Sequence, residues 1–376
     1  MNTKYIVGIV VALIIGILIG YLPNTLQAPV VPATSIITTT IIETSATTYI
    51  TTVVKTSVAI YTTTAVVTSS ITTSVEWPRE LVDALSREIV FEAPPERVVS
   101  TAPSITEILF MLGVGNRVIG VDDYSNYPPE VIDLVEQGKI ARVGGPWSLD
   151  IEKIVSLNPD VVFMCKGILQ QEKDYRAKLE EAGIKTFFLR CNAARDHYDI
   201  FYDIRLVGQV FDIRDRAENL INSIQDKISS VTNKLVNASK PRVLLLLGPP
   251  SWGLWSVGGD TFLGWLISSA GGDNIASTYS GWPQLSYEYI LARDPEVIII
   301  TAMNIDPDSI RSELEQTPLV NTSAWRNGRV YLVVGEANDI LNRPSPRIGL
   351  ALEILASIIH PEVFGEIERP DVIKLV

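Results

Sequence analysis

Glu152-Lys-Ile-Val-Ser-Leu-Asn-Pro-Asp-Val-Val-Phe-Met164 aligns without gaps on Glu288-Tyr-Ile-Leu-Ala-Arg-Asp-Pro-Glu-Val-Ile-Ile-Ile300. Both stretches share a Glu, an Ile two residues later, a Pro seven later, an acid and then an apolar run. Each reads as a short helix, a turn at Asn158-Pro159 or Asp294-Pro295, and a strand apolar enough to be buried on both faces. A helix feeding such a strand is the unit of a parallel sheet.

Outward from this pair, the flanking segments repeat too. Leu179-Glu-Glu-Ala-Gly183 leads into Ile184 to Leu189, and Trp325-Arg-Asn-Gly328 leads into Arg329 to Val333. Each is a helix end, a glycine turn and a strand. Upstream, Arg97 to Ser100 and Val243 to Leu247 each open a half with a strand. In the first half, Pro103 to Leu109 then begins a helix, with Ser104 as N-cap and Glu107 completing a capping box. Gly113 and Gly115 stop that helix, and Val118 to Val121 is the next strand. One order of elements in both halves predicts two α/β lobes, each a small parallel sheet flanked by helices. Between them, Ile204 to Leu235 contains no Pro and reads as one long amphipathic helix joining the lobes; two helices with a turn near Phe211-Asp212 is the other reading. The expected domains are 77–203, the connecting helix 204–239, and 240–376.

The remaining chain precedes residue 77. Tyr5 to Leu22 carries no charge, and a helix there spans roughly 27 Å, close to a hydrocarbon core. Lys4 stands before it and no Lys or Arg follows until Lys55, which sets the N-terminus inside and the body outside. Residues 1–24 read as a transmembrane signal anchor, with a cleaved secretory signal as the competing reading. From Thr34 to Val75, sixteen Thr and six Ser among 42 residues predict a disordered, extended stalk over 25–76, with O-linked sugars as one way to keep it soluble. Asn237-Ala-Ser and Asn321-Thr-Ser are glycosylation sequons.

Across 376 residues the formal net charge is −12, so a nucleic-acid partner lacks its basic footprint. Two histidines and two cysteines leave no histidine-rich or four-cysteine metal site. Nucleophile-elbow, phosphate-loop, dinucleotide and zinc-protease motifs are all missing, so no enzyme is expected. What the halves do carry, at the carboxyl ends of their strands, is aromatic. Trp147, Trp252, Trp255 and Trp282 stand in Gly/Pro-rich loops, and Asp122-Asp-Tyr-Ser-Asn-Tyr-Pro-Pro129 follows a strand. Parallel sheets bind ligands at those ends, so the loops predict a broad apolar cleft. Asp339 and Arg343, one helical turn apart, read either as a surface pair or as polar contacts at its rim. Glu152 and Glu288 sit in the first turns of equivalent helices, where the macrodipole favours a carboxylate. As a symmetric pair they would also suit two basic pockets on a two-fold partner.

Val121 to Pro129, Ile151 to Asp160, Trp282 to Arg293 and Arg343-Pro-Ser-Pro-Arg347 together resemble the solute-binding proteins of ABC importers that carry cobalamin, siderophores or haem. In that family one helix joins two lobes. The likeness covers about residues 94 to 358 and is nearest to its corrinoid-binding branch. It implies that Tyr124, Trp147, Trp255 and Trp282 contact a corrinoid, that Asp339 and Arg343 add polar contacts, and that Glu152 and Glu288 dock on the permease dimer, which works with its ATPase subunits. The protein itself would hold no metal or cofactor. Iron-siderophore or haem binding is the alternative within the family; a stalked surface enzyme or adhesive domain is the alternative outside it. Cys165 and Cys191 each follow a strand, and if those strands are neighbours they suit a disulfide; otherwise both are free thiols.

Overall fold

The computed structural model describes residues 77–303 and 305–376 in full, and the backbone alone of three strands near the N-terminus. Ser35–Ile42 runs antiparallel to Thr48–Lys55, which pairs in turn with Ile60–Tyr61. The expected anchor over 1–24 and most of the expected stalk over 25–76 lie outside the described residues. Among those described, no helix is long and apolar enough to cross a membrane.

From Trp77 onward the chain is one compact unit holding two five-stranded sheets. The first has the order Thr186–Leu189, Val161–Cys165, Val98–Ser100, Val118–Val121, Ala141–Arg142, all parallel. The second has the order Asp273–Asn274, Arg242–Leu246, Val297–Thr301, Val330–Val333, Val372–Lys374. Its first four strands are parallel, and the last runs antiparallel at the edge.

The repeated motif occupies the same place in each sheet. Val161 pairs with Val98, and Val297 with Val243. On the far side Val162 pairs with Thr186 and Ile298 with Val330. The preceding helices, Ile151–Ser156 and Tyr287–Arg293, also begin alike. Asp150 caps the first by accepting from the Lys153 N–H, and Ser286 caps the second by accepting from the Tyr289 N–H. Both end in a left-handed residue before proline, Asn158 at φ 46° and Asp294 at φ 42°. Asn and Asp tolerate that conformation, which turns the chain from helix into strand.

The expected single rod over Ile204 to Leu235 is two helices. His197–Val210 belongs to the first lobe, and Arg214–Lys234 is the connector. Asp212 breaks the helical path at φ 56°. Arg79 pairs with Asp212 at 2.8 Å and pins the corner. Gly208 lets the two helices close on each other, since a Cβ there would lie 2.6 Å from the Ala217 Cβ. The apolar positions of 204–211 therefore continue the preceding helix, burying Ile204, Val207 and Val210. The connector buries Ile221, Ile224, Ile228 and Val231 at helical spacing, and packs on Ile348–Ile359. One hydrophobic cluster runs through residues of both sheets and these helices.

Candidate functional site: an aromatic cleft between two lobes

Each lobe contributes two aromatic residues at the carboxyl ends of its strands. In the first lobe, Asp122 ends the strand Val118–Val121 and its carboxylate accepts from the Tyr124 N–H at 2.9 Å, shaping the turn that presents Tyr124. The Tyr124 ring lies beside Gly145, where a Cβ would meet it at 3.3 Å. Two residues on, Trp147 is held through its backbone. Gln171, fully buried, donates from Nε2 to the Pro146 carbonyl at 2.8 Å, and Tyr175 donates its hydroxyl to the Trp147 carbonyl at 2.9 Å. The Gln171 Oε1 also accepts from the Cys165 N–H at 2.8 Å, so the strand end and the Trp147 loop share one anchor.

In the second lobe the two indoles ride on one irregular ladder. Trp255 bridges antiparallel to Gln284, the Ser256 N–H donates to the Pro283 carbonyl at 2.8 Å, and the Gly258 N–H donates to the Gly281 carbonyl at 2.8 Å. Asp260 closes the ladder by accepting from the Gly281 N–H at 2.7 Å and from the Ser280 hydroxyl. Trp282 follows directly. Tyr124, Trp147, Trp255 and Trp282 keep 47%, 58%, 41% and 40% of their surface exposed, although large rings are usually well buried. Trp252, on the 3-10 turn Pro250–Trp252, is exposed as well and packs over Gly248.

The polar pair behaves differently from the expectation of a rim. Asp339 and Arg343 do form an ion pair, at 2.9 Å, but Arg343 is only 8% exposed. Its guanidinium crosses to the first lobe, donating to Glu107 at 3.1 Å, the Asn126 carbonyl oxygen at 2.8 Å and the Tyr124 backbone carbonyl at 3.1 Å. Asn126 in turn donates to Asp339 Oδ2 at 2.8 Å. Arg347 joins from the same lobe, donating to both oxygens of Glu107 at 2.8 and 2.6 Å while its guanidinium lies 3.9 Å above the Tyr127 ring. Glu107, Asn126 and Arg347 were not legible as site residues. Ala102 rather than Ser104 occupies the N-cap of Pro103–Met111, with no side-chain cap, and the fully buried Glu107 carboxylate turns away from the helix end toward two arginines. Sequence distance hides that partnership.

Beneath Tyr124, a buried polar chain runs from Asp122 to Ser125, Thr106 and Ser100. Burial pushes the Asp122 carboxyl up to about 6, against the opposing pull of the Ser125 hydroxyl, the Tyr124 N–H, Arg343 and Arg142. Cys165 and Cys191 form a disulfide with Cα atoms 5.2 Å apart, joining the ends of two neighbouring strands. Elsewhere between the lobes, His197 of the first stacks on Trp265 of the second at 4.7 Å.

Glu152 and Glu288 are both exposed, each the second residue of its helix. The helix-terminal N–H of Glu288 itself and the Ser286 hydroxyl hold the Glu288 carboxyl below its usual range.

Comparison with known proteins agrees with this fold. An uncharacterised ABC transporter substrate-binding lipoprotein of Bacillus subtilis is 27% identical over 292 residues, covering 77% of this chain and 88% of its own. A cobalamin-binding protein of Halobacterium salinarum is 28% identical, covering 74% of this chain and 73% of its own. Among solved structures, a periplasmic heme binding protein from Pseudomonas aeruginosa has a TM-score of 0.63 at 24% identity, covering 74% of this chain and 97% of that one. The periplasmic vitamin B12 binding protein of Vibrio cholerae has a TM-score of 0.59 at 23% identity, covering 71% and 97%. At such identities these two likenesses speak to the fold. Residues 98–336 match the periplasmic binding protein family along most of both lobes, and the chain belongs to that family.

Proposed function

We propose that this protein is the extracytoplasmic substrate-binding component of an ABC importer, and that its ligand is a corrinoid held between the aromatic loops of the two lobes. One observation carries the reading. Two exposed rings from each lobe stand at the strand ends, while both arginines at the junction are spent on Glu107, Asp339 and Asn126. A ferric siderophore or the propionates of haem bring negative charge that calls for unpaired cations. A corrinoid brings a broad apolar ring edged with neutral amides, which suits stacking surfaces and a few acceptors. Asp339 engages Asn126 and Arg343 through one oxygen, Oδ2, leaving Oδ1 as an acceptor for such an amide.

In this reading Tyr124, Trp147, Trp255 and Trp282 supply the contacts to the ring. Glu152 and Glu288 are the paired contacts to a permease dimer, with its ATPase subunits on the far side of the membrane. We further propose that the uncharged segment Tyr5 to Leu22 anchors the chain in a single pass and that the stretch over 25–76 holds the body away from the surface. Relatives named for solute binding support transport over a stalked enzyme or an adhesive domain. Absorbance titration with cyanocobalamin, hemin and a ferric siderophore in parallel tests the ligand. Tight 1:1 binding of cyanocobalamin alone is expected; preference for hemin or the siderophore overturns the corrinoid assignment.

A further inference from the structure

Glu107 is the one fully buried carboxylate on which two arginines of the opposite lobe converge. Arg343 and Arg347 leave the end of the helix Gly335–Asn342 and the loop after it, cross the gap, and have 9% and 5% of their side chains exposed. Around this centre Arg343 also holds the Tyr124 carbonyl and Asn126, and Arg347 covers Tyr127. Every first-lobe group in the junction therefore belongs to the helix Pro103–Met111 or to the loop that carries Tyr124. The cost of desolvating these charges is met by mutual hydrogen bonds, and removal of the shared anion leaves two buried guanidinium groups with Asp339 and the exposed Glu336 as their remaining counter-charges. A loose contact between lobes would be solvated and would not be built this way.

We infer that Glu107 is a positioning residue, the keystone that fixes the separation of the lobes and so preforms the cleft. It touches no ligand. It acts through Arg343 and Arg347, holding the Tyr124 loop at a set distance from the second lobe, with the His197–Trp265 stack as a further contact. The consequence for affinity rests on the proposed function; the consequence for lobe spacing does not.

Spin labels at Glu181→Cys and Asp308→Cys, exposed on the first and second lobes, report that spacing in the full chain by double electron–electron resonance. A single narrow distance is expected, unchanged by cyanocobalamin. Glu107→Ala is expected to broaden the distribution and to raise the Kd for cyanocobalamin about tenfold or more, because a preformed gap no longer awaits the ligand. Glu107→Gln removes the shared charge and turns an amide N–H toward an arginine donor, so it is expected to broaden the distribution as well. A narrow, unshifted distribution in folded Glu107→Ala overturns the inference. Should that variant fail to fold, Arg347→Met decides, because it leaves Glu107 paired with Arg343: broadening supports the inference and an unchanged distribution overturns it. Failure of the parent protein to bind cyanocobalamin removes the ligand assignment and leaves the distance comparison intact.

Discussion

Glu152 and Glu288 occupy the same position in two matching settings: second residue of a capped helix, six residues ahead of a left-handed turn, at the entrance to a central strand. Neither is buried, so neither contributes to the core. Their likeness is a property of the surface, and it sets the first test.

The double variant Glu152→Ala, Glu288→Ala is expected to abolish ligand uptake by cells while the purified protein keeps its Kd within about twofold, since rim-free surface carboxylates add little to a site they do not line. Uptake assays beside equilibrium titration check it. Loss of affinity, or retained uptake, refutes the docking role.

Truncating a ring is the corresponding test of the cleft. Trp147→Ala and Trp282→Ala, one from each lobe, are each expected to weaken cyanocobalamin binding about tenfold, the order expected for an aromatic stacking surface. Because both rings are exposed, the melting temperature should stay nearly constant. Fluorescence quenching and calorimetry read the two quantities separately.

Asp122 ties stability to pH. Its carboxyl is raised from 3.8 to about 6 by burial, so the folded protein holds the proton more tightly than the unfolded chain does. The sign follows: between pH 4 and 6 this carboxyl holds more proton in the native state, and its contribution to stability falls as pH rises through that window and levels off above it, while Asp203, pushed up to about 7 by burial, adds a slope of the same sign that extends to pH 7. Asp122→Asn removes its own part of this dependence. Tm measured across the window should lose the corresponding slope; an unaltered slope excludes Asp122 as its source.

The Cys165–Cys191 bridge spans 26 residues of chain. Replacing both cysteines with serine is expected to lower unfolding free energy by about 3 kcal/mol, the loop-entropy value for a closure of this size. Guanidinium unfolding of the variant, compared with the parent with and without reductant, measures it.

Gly208→Val tests the helix corner. A side chain there meets Ala217, and overpacking between two closely apposed helices costs roughly 1–3 kcal/mol. Thermal unfolding reads the loss, and an unaffected Tm shows that the helices can part without penalty.

Much of the architecture was legible because it is local and repeated. A Glu, an Ile, an Asn-Pro or Asp-Pro and an apolar run specify helix, turn and strand from neighbours alone, and two copies in one order specify two sheets. Loop tryptophans at strand ends announced exposed rings for the same reason. The corner at Asp212 was harder to read. Apolar spacing on its two sides is nearly continuous, and only the fit of Gly208 against Ala217 shows where one helix ends. Glu107 was read as a local cap because Ser104 stands three residues before it. Its true partners lie more than 230 residues away, and nothing in either segment alone names the other. Arg343 reads from sequence as a surface pair with Asp339 or as a polar contact at the cleft, since only the residue one turn away is local, whereas its contacts with the opposing lobe lie more than 210 residues distant.

The two sheets share four strands in one order, and each then adds a fifth on a different border. Ala141–Arg142 lies outside Val118–Val121 in the first, whereas Val372–Lys374 lies outside Val330–Val333, the counterpart of Thr186–Leu189, in the second. The repeated sequence therefore accounts for four strands of each sheet, and the fifth strand on either border lies outside it.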